Sequence, residues 1–170
     1  MFEIFMIIGG ALMRLLPHEP NFTPIAAIAL FGGVYLNKKY AIVLPIAAMI
    51  LADLFLGFTQ STPYVYLGFL LTGLIGLWLR THKTFTNVVL GTLVSSVLFF
   101  LITNFGFWLT FSLYPKTFAG QMEAYIMALP FFRNSLLGDL FYTGLMFGSY
   151  ELVVYYLKSQ KSKLKATTQN

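Results

Sequence analysis

Eight side chains in this sequence have types and positions that suit molecular recognition: Arg14, His18, Asn21, Asp53, Asn104, Trp108, Arg133 and Asp139. Each lies within or beside a strongly apolar stretch, where an ionisable group costs several kcal/mol unless it is paired or wetted. Arg14, Arg133 and His18 would favour an anionic group on a bound molecule. Asn21, Asp53 and Asn104 would fix its polar edges, and Trp108 with Phe105 would stack on a ring. The expected arrangement is a polar, aromatic-lined recess for a small water-soluble molecule.

Plainer roles fit the same residues. Arg14 and Asp53 suit a structural ion pair, and Asp139 suits the N-terminal dipole of a last helix capped by Asn134. His18 lies between two prolines and reads equally as a surface histidine. Asn104 could make an interhelical hydrogen bond, and Trp108 could anchor the membrane interface as Trp78 and Tyr114 would. Glu151 is expected to reach headgroups or pair with a nearby lysine.

Catalytic constellations are scarce. There is no His-Glu-x-x-His run, nucleophile elbow, phosphate loop or dinucleotide fingerprint. Cysteine is absent, which excludes thiolate chemistry and disulfides. The two histidines, His18 and His82, are predicted on opposite faces, so no metal site is expected. No catalytic residue or cofactor is assigned, and an enzyme is not the expected class. A small intramembrane lipid-modifying enzyme using Asp53 and His18 is the alternative within that class.

The elements that must position these residues follow from composition. The chain has 170 residues, 58% hydrophobic and only 10% charged, with a mean hydropathy of +0.75; a soluble domain carries about 25% charged residues. Apolar runs cover Phe2 to Leu16, Phe22 to Leu36, Tyr40 to Phe58, Tyr64 to Leu79, Phe85 to Leu113 and Leu136 to Leu157. They show no polar face, and backbone in hydrocarbon must satisfy its own hydrogen bonds, so helices are expected. This predicts an all-α membrane protein, a bundle of six transmembrane helices forming one domain over residues 1–157. The stretch at about 117–133 reads as an interfacial or re-entrant element, because its apolar run is too short to cross. Residues 158–170 read as a frayed basic polar tail.

Eight of the 11 basic residues fall in three clusters: Lys38 and Lys39, Arg80 and Lys83, and Lys158, Lys161, Lys163 and Lys165. With six spans all three share one side, which the positive-inside rule makes cytoplasmic, placing both termini inside. The eight recognition residues then gather at the outer side, about the proline-rich connection RLLPHEPNFTP at Arg14 to Pro24. Membrane lipids and a small-molecule ligand are the expected partners. Nucleic acid is not, despite a formal charge of +5, because the basic residues sit where topology requires them.

The strings RLLPHEPNFTPIAAIALFGG, LPIAAMILADLFLGF, FFLITNFGFWL, YPKT and PFFRNSLLGDLFYTGLMFG resemble a bacterial family of small six-span membrane proteins catalogued only as a domain of unknown function. More distantly, the proline-rich first outer loop, a second span ending in Gly-Gly and a third ending in Asp-x-x-x-Gly look like the S components of energy-coupling-factor vitamin transporters. That resemblance implies an S-component-like fold in the bacterial inner membrane, capturing a vitamin-like micronutrient from the outer face. Its pocket would be closed by Pro17 to Thr23, Thr59 to Pro63 and Tyr114 to Asn134. It also implies an energising transporter module as a partner, although the Ala-x-x-x-Ala docking motif of many S components is replaced here by Gly10 and Arg14. A non-transport scaffold or subunit of a larger membrane complex is the alternative function.

Overall fold

The structure, a computed structural model, describes the backbone of residues 1–167 and the side chains of residues 1–161. Its described residues form six helices and no strands: α1 (Phe2–Leu15), α2 (Ile25–Tyr35), α3 (Tyr40–Leu56), α4 (Thr62–Leu79), α5 (Phe85–Thr110) and α6 (Phe118–Thr167). Two of them, α4 and α5, are long and apolar enough to cross a membrane, and α2 and α3 are shorter apolar helices.

Local chemistry sets the boundaries. Pro24 stands immediately before α2 and Pro63 lies in the first turn of α4, where a missing N–H costs nothing. Thr84 caps α5 by accepting a hydrogen bond from the Asn87 N–H at 3.1 Å, and Thr117 receives the Gly120 N–H at 3.2 Å ahead of α6. Gly57 ends α3 with a φ of 88°, a conformation only glycine adopts without strain.

The organising element is α2, in which Ile25 through Val34 are all buried. It packs against each of the other five helices. Small side chains make this possible. Gly33 meets the backbone of Gly76, and a Cβ on Gly76 would lie 2.9 Å from the carbonyl oxygens of both Ala29 and Leu30, so α2 and α4 cross at backbone contact. Around α2 the packing runs α1, α3, α4, α5, α6, and it does not close: α1 and α6 have no close backbone approach.

The α2–α3 and α4–α5 connections lie at one end of the bundle. The Arg80 guanidinium donates from Nε to the Val34 carbonyl at 3.3 Å and from Nη2 to the Leu36 carbonyl, supplying donors that the end of α2 lacks. Beside it Lys83 pairs with Glu151 and donates to the Tyr35 hydroxyl at 3.3 Å, the lysine pairing expected of Glu151. Arg80→Met should therefore lower stability by about 2 kcal/mol, the scale of hydrogen bonds to a charged group, read as a fall in the thermal unfolding midpoint in detergent. An unchanged midpoint would mean that water satisfies the end of α2.

The last element differs from expectation. The stretch 117–133 is not a separate element, because from Phe118 it is the beginning of one helix that runs through Pro130 to Thr167. Phe-Ala-Gly-Gln-Met-Glu-Ala-Tyr-Ile-Met-Ala-Leu is rich in strong helix formers, and packing against α5 holds it: the Tyr125 hydroxyl donates to the Leu101 carbonyl at 2.8 Å and Phe100 meets Phe132 at 4.7 Å between ring centroids. The basic stretch expected to fray continues the same helix up to Thr167, while residues 168–170 lie outside those described.

Candidate functional site

At the end of the bundle opposite Arg80, the last turns of α1 and α3 meet the first turns of α4. Arg14 Nη2 donates to Asp53 Oδ1 at 2.8 Å, and the Tyr66 hydroxyl donates to Asp53 Oδ2 at 2.9 Å. Asp53 is 3% exposed while the Arg14 side chain keeps 28%, so the guanidinium borders an opening. Its Nε is buried and has no hydrogen-bond partner.

Beside the pair lies a cavity of about 310 Å³. One side, from α1, α3, the start of α4 and the connections beside them, is polar, with Arg14, Asn21, Asp53, Thr59, Ser61 and Thr62. The other, from α5 and α6, is aromatic, with Phe99, Phe100, Phe107, Phe131 and Phe132, and carries Thr103 and Asn104 one turn from Phe99 and Phe100. A second cavity of about 190 Å³ adjoins it, sharing Arg14, Asn21, Phe99 and Ser135 and adding His18, Thr23 and Asp139.

Each wall has a local cause. Asn21, the non-glycine residue with positive φ at 65°, turns the proline-rich connection into the mouth of both cavities; asparagine is among the few residues that accept this conformation. Phe22 then pins the connection to α6 by packing on Phe141 and Tyr142 at 5.9 and 5.5 Å. Asp139 is 7% exposed and accepts a hydrogen bond from the Ser96 hydroxyl at 2.7 Å, which ties α6 to α5 beneath the smaller cavity.

Of the eight residues singled out from the sequence, six line these cavities: Arg14, His18, Asn21, Asp53, Asn104 and Asp139. His18 does so from an exposed position, with Nδ1 2.6 Å from the Leu16 carbonyl. Two do not. The Trp108 indole N–H donates to the Pro115 carbonyl at 2.9 Å and its ring lies under the Lys116 ammonium, so it fastens the α5–α6 connection. Arg133 is exposed on the outer flank of α6. Phe105, expected to stack on a ligand, instead packs near Trp108 at 39% exposure. Asp139 is also not at a helix N-terminus, because α6 begins 21 residues before it, at Phe118.

Sequence reading missed Tyr66, Ser96, Ser135 and the five phenylalanines of the aromatic wall. A signal existed for one of them: Thr92 and Ser96, four residues apart, are hydroxyls on one face of an otherwise apolar helix, a spacing that marks a buried interhelical contact.

The arrangement can hold a small molecule between aromatic faces and polar edges. Among the described residues, the one ion pair at the site is Arg14 with Asp53. No curated protein and no solved structure matches the chain. The sequence profile of one family covers residues 1–164, nearly the whole length, and its description reads "Family of unknown function (DUF6580)"; the chain belongs to that family.

Proposed function

We propose that this protein is a six-span protein of the bacterial inner membrane, both termini cytoplasmic, that captures a small water-soluble molecule from the outer face and helps move it inward. The observation that carries the reading is the buried Arg14–Asp53 pair opening onto a recess of about 310 Å³ with one polar and one aromatic wall. A purely structural ion pair needs no recess beside it. The volume lies at the lower end of the range of about 300–1,000 Å³ for small-molecule sites. The orientation rests on Lys38, Lys39, Arg80 and Lys83, whose connections share the end opposite the recess. The likeness to S components supports a vitamin-like cargo and an energising partner.

The test is retention of ligand. Protein purified natively should yield a co-purifying small molecule by mass spectrometry, and Asn104→Leu, which alters the wall without touching the ion pair, should lower its amount about tenfold. Equal retention would overturn the reading. The cysteine-free chain is a ready background for topology: cysteines at Ser61 and at Lys38 should label from opposite sides of the membrane.

A second reading, a subunit of a larger membrane complex, has one observation in its favour. The gap between α1 and α6 is an apolar groove of about 780 Å³, lined by residues such as Phe5, Gly9, Met13, Leu145 and Tyr150. Recovery of a stoichiometric protein partner and no small molecule would favour it.

A further inference from the structure

Taking the recess as a binding site, the charge and hydrogen-bonding state of its walls restrict what it accepts. Its charges cancel. The Arg14 guanidinium is held by the Asp53 carboxylate, and Arg133, the other arginine expected here, lies outside on α6. The adjoining cavity adds His18 and Asp139. His18 enters that cavity from an exposed position, with Nδ1 2.6 Å from the Leu16 carbonyl, and Asp139 is engaged by the Ser96 hydroxyl at 2.7 Å. The larger recess itself holds no charged group beyond the Arg14–Asp53 pair, so no unbalanced positive charge there compensates an anion, whose desolvation costs several kcal/mol.

Three of the uncharged groups, on α5 and α6, lean one way as well. The Thr103 hydroxyl donates to the Phe99 carbonyl at 2.8 Å, the Ser135 hydroxyl to the Phe131 carbonyl at 3.2 Å and Asn104 Nδ2 to the Phe100 carbonyl at 2.8 Å. Each of these side chains has turned a donor back onto its own helix four residues earlier. What they offer the cavity is chiefly acceptors: the lone pairs of two hydroxyls and the Asn104 Oδ1. Donors come from the second amide proton of Asn104, from the carboxamide of Asn21 and from the N–H groups of Arg14 outside its bond to Asp53. Beside these groups, one turn away on the same helices, stand Phe99, Phe100 and Phe131, whose rings are flat and without hydrogen-bonding capacity.

We propose that the recess takes an uncharged or singly positive nitrogen heteroaromatic ring bearing amino groups, and discriminates against anionic rings. The ring stacks on the phenylalanine wall. Its amino hydrogens meet Thr103, Ser135 and Asn104, and one ring nitrogen accepts from the Asn21 carboxamide. This runs against the expectation from sequence, in which Arg14, Arg133 and His18 favoured an anionic group.

The experiment uses the full chain in lipid nanodiscs, titrated calorimetrically with two panels of rings: adenine, cytosine and 2-aminopyrimidine against benzoate, nicotinate and indole-3-carboxylate. At least one aminated probe should bind at least tenfold more tightly than every carboxylate. Thr103→Val and Asn104→Leu should each weaken that probe about tenfold, with the unfolding midpoint near that of the parent protein. Failure of all aminated probes at millimolar concentration overturns the proposal. Tighter, Asn104-dependent binding of a carboxylate also overturns it while leaving the recess as a binding site. If neither panel binds and Asn104→Leu leaves the co-purified molecules unchanged, the binding function falls with it.

Discussion

Arg14→Ala should destabilise the protein by about 3–5 kcal/mol, the usual cost of removing one partner from a buried pair. The reason is the residue left behind. Asp53 is 3% exposed, and without the guanidinium its carboxylate keeps only the Tyr66 hydroxyl as a side-chain donor. The double variant Arg14→Met with Asp53→Leu should recover most of the loss, since an apolar pair of similar volume often replaces a buried ion pair at little cost. Unfolding midpoints of the parent, both single variants and the double would complete the cycle. A loss below about 1 kcal/mol in Arg14→Ala would mean that Asp53 is hydrated or neutral and the pair is not a structural element. If the recess binds a ligand, the double variant should fold and yet retain none, which separates the two roles of the same residues.

The second large effect is expected at the crossing of α2 and α4. A Cβ at position 76 would lie 2.9 Å from the Ala29 and Leu30 carbonyl oxygens and 3.0 Å from Leu30 Cα. These are backbone atoms of the one helix that every other helix packs against, so relief requires moving the core rather than turning a side chain. Gly76→Val should cost about 3 kcal/mol, the upper part of the range for overpacking, and reduce the folded yield in detergent. Gly144→Ala is the control, because a Cβ there meets nothing within 4 Å. It should gain up to about 1 kcal/mol from the better helix propensity of alanine. Similar behaviour of the two variants would place the α2–α4 contact elsewhere.

How much of this was legible in the sequence depended on which physical signal each feature left. Helices α2 to α5 were readable because prolines and basic residues interrupt the apolar runs at Pro24, Lys38, Lys39, Pro63 and Arg80. The pairing of Arg14 with Asp53 was readable because charges are so rare in those runs that they must find one another. The facing of side chains was not. A helix apolar all round carries no periodic signal to say which flank meets a cavity, so Arg133 was grouped with Asp139, although Phe132, Ser135 and Asp139 line the site and Arg133 does not. Trp108 shares a face with Asn104 but lies one turn farther out, where the α5–α6 connection claims its N–H. The continuity of α6 was missed because the apolar run within 117–133 is too short to cross by itself and contains Pro130. A twelve-residue stretch rich in good helix formers precedes it, and a proline inside a helix in an apolar setting is tolerated where neighbouring groups satisfy the freed carbonyl.

The brevity of α2 bears on how the centre of the bundle is spanned. Eleven residues at 1.5 Å per residue span about 16 Å, roughly half of a 30 Å hydrocarbon layer. This stub is ringed by all five other helices, so the longer elements around it have to bridge the remaining depth. Its end is furnished with the Arg80 guanidinium and the neighbouring Lys83–Glu151 pair, which places charge nearer the middle of the molecule than the ends of α4 and α5 alone would.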